Sequence, residues 1–153
     1  MVGRAGAGKS TLARQLGREL PAIVICEDEW LSKIADPITC FDDYVKATRR
    51  LRAATGPLVI DLLRLGMTVV LDFAANTPQQ RQWVRSLFEA ASADHVLHYL
   101  DADEEACRER VHHRNVTQPA GIFFGVVTDA ILDEVNPYFV PPAAEERFNV
   151  VPR

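Results

Sequence analysis

Nine residues near the start of the chain, Gly3-Arg4-Ala5-Gly6-Ala7-Gly8-Lys9-Ser10-Thr11, have the types and spacing of a phosphate cradle. They match G-x-x-x-x-G-K-[ST] at every fixed position. Glycines at 3, 6 and 8 let the backbone turn tightly and bring its N–H groups against phosphate oxygens, because no Cβ intervenes. In such a loop Lys9 reaches the β- and γ-phosphates and the Ser10 hydroxyl ligates Mg²⁺. Leu12 and Leu16, four apart, predict a helix opening at the loop, and a helix N-terminus favours an anion. The pattern predicts binding of ATP or another nucleoside triphosphate. A glycine-rich turn that binds nothing is the plain alternative.

Phosphoryl transfer further requires a group to orient the attacking oxygen, a metal and cations that absorb charge. Asp28 follows the apolar run Pro21–Cys26 and is a candidate to take a proton from an acceptor hydroxyl. Glu27 and Glu29 flank it, and all three acids would also suit a helix N-terminus, so which of them faces a cleft stays open. Asp72 ends the apolar run Met67–Leu71 and would meet Mg²⁺ directly or through water, or cap the following turn. Arg110 and Arg114, four apart, share one helix face and are candidates for closing over a triphosphate. The alternative is a solvated face paired with Glu104, Glu105 and Glu109, the role expected for Arg108. Lys46, Arg49 and Arg50 offer an anionic acceptor a weaker grip. His112 and His113 are adjacent and point apart, while His95 and His98 fall on opposite faces of a strand, so neither pair predicts a metal site.

These residues need elements to hold them. Strands are expected at Pro21–Cys26, Met67–Leu71, His95–Leu100 and Phe148–Val151. Helices are expected after the glycine-rich loop, after Glu27 and ending before Pro37, from Phe41 to about Ala54, and from Leu58 to Leu65 beyond a break at Gly56-Pro57. Thr77-Pro78 predicts a capped helix to about Ala91, followed by helices over about Glu104–His113 and Val126–Asn136. The alternation means an α/β fold with a parallel sheet, and ligands bind such sheets beyond the carboxyl ends of the strands. The 153 residues predict a single domain spanning 1–153, with a lid around 114–125. Only Met1 and Val2 precede Gly3, so the strand leading into the loop is either a stub or begins upstream; the natural protein is expected to start before Met1.

With 25% charged residues and a net charge of -4, nucleic acid is a possible but not favoured partner. Cys26, Cys40 and Cys107 are odd in number and lack C-x-x-C spacing, which predicts reduced thiols. No run is long enough for a membrane span and no signal peptide is apparent, so a cytoplasmic location is expected.

The glycine-rich loop, Asp28-Glu29-Trp30 after the second strand and Val69-Val70-Leu71-Asp72 together resemble the small P-loop kinases related to zeta toxin, polynucleotide kinase and chloramphenicol phosphotransferase. Arg108-Glu109-Arg110 through Arg114-Asn115 looks like the lid helix of that group. The ending Tyr138–Pro142 with Phe148–Val151 is similar to a tail in bacterial ATP-binding members. The likeness spans essentially the whole chain, and the loop is its most specific part. The resemblance implies a nucleoside-kinase-like P-loop NTPase fold in three layers. Its sheet would be roughly five-stranded and parallel, with the truncated first strand at the centre and an arginine-bearing lid. It also implies Asp28 as catalytic base, Asp72 as Walker-B-type acid, and Arg110 and Arg114 as the lid arginines, which with Lys9 of the loop are the expected catalytic cations. Arg81 sits where these kinases often carry an arginine, with packing an equal alternative. ATP, Mg²⁺ and an unidentified hydroxyl-bearing acceptor follow, with acceptor recognition in the stretch 31–66. A nucleic-acid 5′-hydroxyl kinase using Lys46, Arg49 and Arg50 is one alternative, and a regulatory ATPase or nucleotide switch without an acceptor is another. A GTPase is disfavoured because no N-K-x-D sequence occurs.

Overall fold

A computed structural model describes residues 1–36, 38 and 40–153, so Pro37, expected to follow the second helix, lies outside the described residues. Among the described residues the elements run α1 (Lys9–Glu19), β1 (Ala22–Cys26), α2 (Glu27–Ile34), α3 (Phe41–Arg64), β2 (Thr68–Asp72) and α4 (Pro78–Ala91). They continue with β3 (Leu97–Tyr99), α5 (Glu104–Thr117), α6 (Asp129–Val135) and β4 (Val150–Pro152). None of these helices is long and apolar enough to cross a membrane.

Pairing is parallel, with Cys26 of β1 opposite Asp72 of β2 and Leu97 of β3 opposite Val150 of β4. The expected sheet of roughly five strands is therefore replaced, among the described residues, by two two-stranded sheets. Met1 and Val2 lie between them. The Met1 carbonyl accepts from Ala75 N–H at 3.0 Å, Val2 N–H donates to the His98 carbonyl at 2.8 Å, and Leu100 N–H donates to the Val2 carbonyl at 2.9 Å. Two residues give an isolated bridge to Tyr99 and no more, because Gly3, at φ 151°, already turns the chain into the loop.

Side-chain alternation across β1 and β2 builds the layers. Ile23, Ile25, Val69 and Leu71 face a core with Phe73 and with Leu31, Leu51 and Leu87 from α2, α3 and α4. Ala22 and Val70 face the other way, onto Met1 and onto Leu12, Ala13 and Leu16 of α1.

Helix α3 corrects the expected break at Gly56-Pro57. A single helix of 24 residues runs through both. Leu51, Thr55 and Val59, four apart, are each 1% exposed, and burial of that stripe outweighs the roughly 3 kcal/mol cost of an interior proline. Gly56 lies against Trp83 and Leu87 of α4. Helix α5 runs on to Thr117, past its expected end, and carries Arg114 within it. The cap expected at Thr77 forms, and Gln80 completes a capping box, its N–H donating to Thr77 Oγ1 and its Oε1 accepting from Thr77 N–H. β4 begins at Val150, two residues late, because Phe148 packs edge-on against His95 instead.

Arg81 of α4 ties down the tail. It is fully buried, and its Nε and Nη2 hold Glu146 at 2.7 Å each. Its Nη1 donates to the carbonyls of Ala75 and Val140 at 3.0 and 2.9 Å. Arg81→Ala leaves a part-buried carboxylate and two carbonyls without their donor. The expected cost is about 3 kcal/mol, read as a lower urea midpoint at unchanged slope. Arg81 also holds the Glu146 carboxyl below the usual glutamate value of 4.5. A depressed carboxylate adds stability that is present above its unfolded value and lost as pH falls through the folded one. Wild type should therefore lose stability more steeply than Arg81→Ala below about pH 4.5. Equal midpoints and equal acid slopes would remove the clamp.

Candidate active site

The glycine-rich loop is shaped by what surrounds it. Gly6 and Gly8 are left-handed, at φ 84° and 99°. A Cβ on Gly6 would strike the carbonyl of Cys107, so glycine lets the loop rest directly on α5. Gly3 N–H is held by Asn76 Oδ1 at 3.0 Å. Lys9 Nζ donates to the carbonyls of Gly3 and Arg4 at 2.7 and 2.8 Å, arching over the loop. Burial pushes the Lys9 ammonium below the usual lysine value, while Asp72 and Asp28 oppose the fall. Among the described residues, the N–H groups of Gly6, Gly8, Lys9 and Ser10 find no protein acceptor. Unpaired donors at a helix N-terminus suit an anion.

The three consecutive acids have separate fates. Glu27 is 2% exposed and bound by Arg52 of α3, whose Nε and Nη2 lie 3.1 and 3.0 Å from its Oε1. Its Oε2 accepts from Ala74 N–H, joining the ends of β1 and β2. Glu29 pairs with Lys33 on the surface at 2.6 Å. Asp28 lines a central cavity of about 1580 Å³ and, among the described residues, has no ion pair or hydrogen bond. The carboxylate is open to the cavity yet lies deep within it. Loss of hydration pushes it above the usual aspartate value, Asp72 adds to the rise, and Lys9 and Arg114 oppose it. Asp72, 9% exposed, reaches the same cavity because the parallel register sets it across from Cys26, next to the start of α2. Burial pushes the Cys26 thiol up to about 12, so it packs as a neutral side chain.

Ala5 to Thr11 of the loop, Arg110 and Arg114 line the same cavity. Arg114 Nε is buried without a partner among the described residues. Arg108 turns to α6, reaching Asp129 and Asp133 at 2.7 Å each rather than the acids of its own helix. Asn115 clamps Val127 in both directions, Nδ2 to carbonyl at 2.8 Å and Oδ1 from N–H at 3.2 Å. The loop between them contributes Ile122 and Phe124 to the cavity. The basic face of α3 does not converge as the sequence suggested. Arg49 lines the main cavity, whereas Lys46 and Arg50 belong to a smaller groove of about 450 Å³.

A family model described as an AAA domain matches residues 1–141. The chain belongs to the AAA domain family. No curated protein matches this AAA domain. Among solved structures it is similar to the APS kinase CysC of Mycobacterium tuberculosis, determined in complex with AMPPNP and APS. The two are 20% identical with a TM-score of 0.59, over 92% of this chain and 80% of that one. The likeness is one of fold, and the AAA domain has a P-loop NTPase-like fold.

Sequence reasoning missed Asn76, Arg52, Tyr44 and Trp83, all of which line the cavity. A signal existed for two of them. Tyr44 and Arg52 stand eight apart on α3, with Thr48 midway, and so share one face.

Proposed function

We propose that this AAA domain is an ATP-dependent kinase that transfers the γ-phosphoryl group to a hydroxyl of a small molecule or nucleotide. One observation carries this: the glycine-rich loop, Asp28, Asp72, Arg110 and Arg114 all line one cavity, and among the described residues Asp28 is unpaired. The solved neighbour, determined with AMPPNP and APS together, supports a site for a nucleotide beside a second ligand. The sequence motifs support the narrower kinship with zeta toxin, polynucleotide kinase and chloramphenicol phosphotransferase.

In this proposal residues 3–11 cradle the phosphates and Lys9 neutralises their charge. Ser10 and Asp72 would hold Mg²⁺, a hard cation suited to a hydroxyl and a carboxylate, which when bound offsets charge on the phosphate oxygens. Asp28 takes the hydroxyl proton as the acceptor oxygen bonds to the γ-phosphorus and the bond to the β-bridging oxygen breaks, leaving ADP. Arg110 and Arg114 draw off charge, and Arg114 Nε, buried without a partner among the described residues, is a donor available for that purpose. The segment 114–125 acts as lid within a single cytoplasmic domain. A nucleic-acid end kinase is less well supported, because Lys46 and Arg50 lie outside the cavity.

The test is a thermal shift with Mg-ATP followed by acceptor-dependent ADP release over a panel of alcohols, sugars and nucleosides. Absence of a shift sinks the proposal. Hydrolysis that no acceptor stimulates turns it toward a regulatory ATPase.

A further inference from the structure

Resting on that kinase proposal, we infer that Asn76 is a further phosphate-binding residue, whose side-chain oxygen holds the loop while its nitrogen donates to the γ-phosphoryl group. The segment after β2 runs beside the first residues of the chain. Ala75 N–H donates to the Met1 carbonyl at 3.0 Å, and one residue on, Asn76 Oδ1 accepts from Gly3 N–H at 3.0 Å. Gly3 has already turned out of the strand, so a side-chain oxygen takes the place of the next backbone carbonyl. The remaining backbone groups of Asn76 are also committed. Its N–H donates to Gln80 Oε1 at 2.8 Å, and its carbonyl accepts from Val140 N–H at 2.8 Å. Only Nδ2 is left without a partner among the described residues, in a side chain that lines the cavity. The amide cannot be turned the other way round. Gly3 N–H needs an acceptor, so the oxygen faces Gly3 and the NH₂ group faces away from it.

Gly3 also decides what Nδ2 meets. Its N–H is held by Asn76 and its carbonyl by Lys9 Nζ at 2.7 Å. The amide and the ammonium are therefore neighbours across one residue. A loop lysine reaches the β- and γ-phosphates, while the backbone N–H groups enclose the α- and β-phosphates. Here the unpaired N–H groups lie between Gly6 and Ser10, so the inner phosphates are already surrounded. The terminal phosphoryl group projects past them, toward Lys9 and the segment from Asp72 to Asn76 that lines the cavity. A neutral NH₂ group suits that position. Its hydrogen bond to an anionic oxygen is about twice as strong as one between neutral groups.

The test measures binding of Mg-ADP and Mg-AMPPNP by calorimetry and reads the ratio of their dissociation constants. Asn76→Ala should lower the preference for AMPPNP over ADP by about tenfold or more, because ADP lacks the phosphoryl group that Nδ2 would meet. Loosening of the loop alone would weaken both nucleotides alike and leave the ratio where it was. Asn76→Asp keeps an oxygen for Gly3 N–H but has no donor, so its ratio should fall at least as far with the loop still fastened. Both variants keep the backbone bonds to Gln80 and Val140 and should fold. Gln80→Leu removes the partner of Asn76 N–H and spares the amide, so it should leave the ratio unchanged. If wild type binds neither nucleotide, the kinase proposal fails and this inference falls with it. If wild type binds both and the ratio is unmoved in the two Asn76 variants, or moves as far in Gln80→Leu, this inference alone is overturned.

Discussion

Asp28→Asn should lower phosphoryl transfer by about 10²–10⁴-fold while Mg-ATP affinity stays nearly constant. The substitution keeps size and shape and removes the negative charge together with the capacity to accept a proton. It should be structurally quiet, because among the described residues Asp28 makes no ion pair or hydrogen bond that an amide would break. Its neighbour provides the control. Glu27→Gln would strip Arg52 of its carboxylate and should lower stability, since breaking a buried pair leaves an uncompensated charge. The pH profile gives a second handle. A base works ionised, so transfer falls as pH drops through its pKa, and desolvation with Asp72 raises that of Asp28 above the usual 3.8. The acid limb should sit above the ordinary aspartate range and vanish in Asp28→Asn. Asp72→Asn should act differently and raise the Mg²⁺ requirement, because a hard cation loses an anionic ligand. Full transfer by Asp28→Asn, or an unmoved acid limb, would put the base elsewhere.

The loop was legible from sequence because its function depends on local geometry. Three glycines and a helix start specify the shape wherever the rest of the chain goes. The acids at the strand ends were legible for a similar reason, since strand polarity puts them on the ligand side of a parallel sheet. Which acid meets the cavity was not legible. That choice is made by Arg52, 25 residues away, which claims Glu27 and leaves Asp28 without a partner among the described residues. Arg81 shows the same limit: its role comes from Glu146, 65 residues on, and from carbonyls of the tail. The Gly56-Pro57 pair misled for the opposite reason. Its local preference is to end a helix, and the stripe Leu51, Thr55 and Val59 is buried firmly enough to override it. Local rules served where a few consecutive residues set the backbone's own shape, and failed where one side chain waits on a distant one.

The other large effect is expected at Lys9. Lys9→Ala should lower transfer by about 10²–10³-fold, the cost of removing one preorganised donor from the developing charge, and should weaken the thermal shift with Mg-ATP. The ammonium is already in place, bonded to the carbonyls of Gly3 and Arg4 at the mouth of the loop. It is also partly stripped of water, which pushes its pKa down. A desolvated cation interacts more strongly with an incoming phosphate than a hydrated one would. Stability should change less than activity. The two carbonyls lose a donor, at about 1–3 kcal/mol for each group left buried and unpaired, but the chain is relieved of holding a desolvated charge. Lys9→Arg should fail to restore transfer, because a planar fork cannot replace a compact ammonium in a loop pressed against the Cys107 carbonyl. The measurements are the Mg-ATP thermal shift and ADP release for both variants. A wild-type shift and wild-type turnover in Lys9→Ala would mean that the loop binds no triphosphate, and the kinase proposal would fall with it.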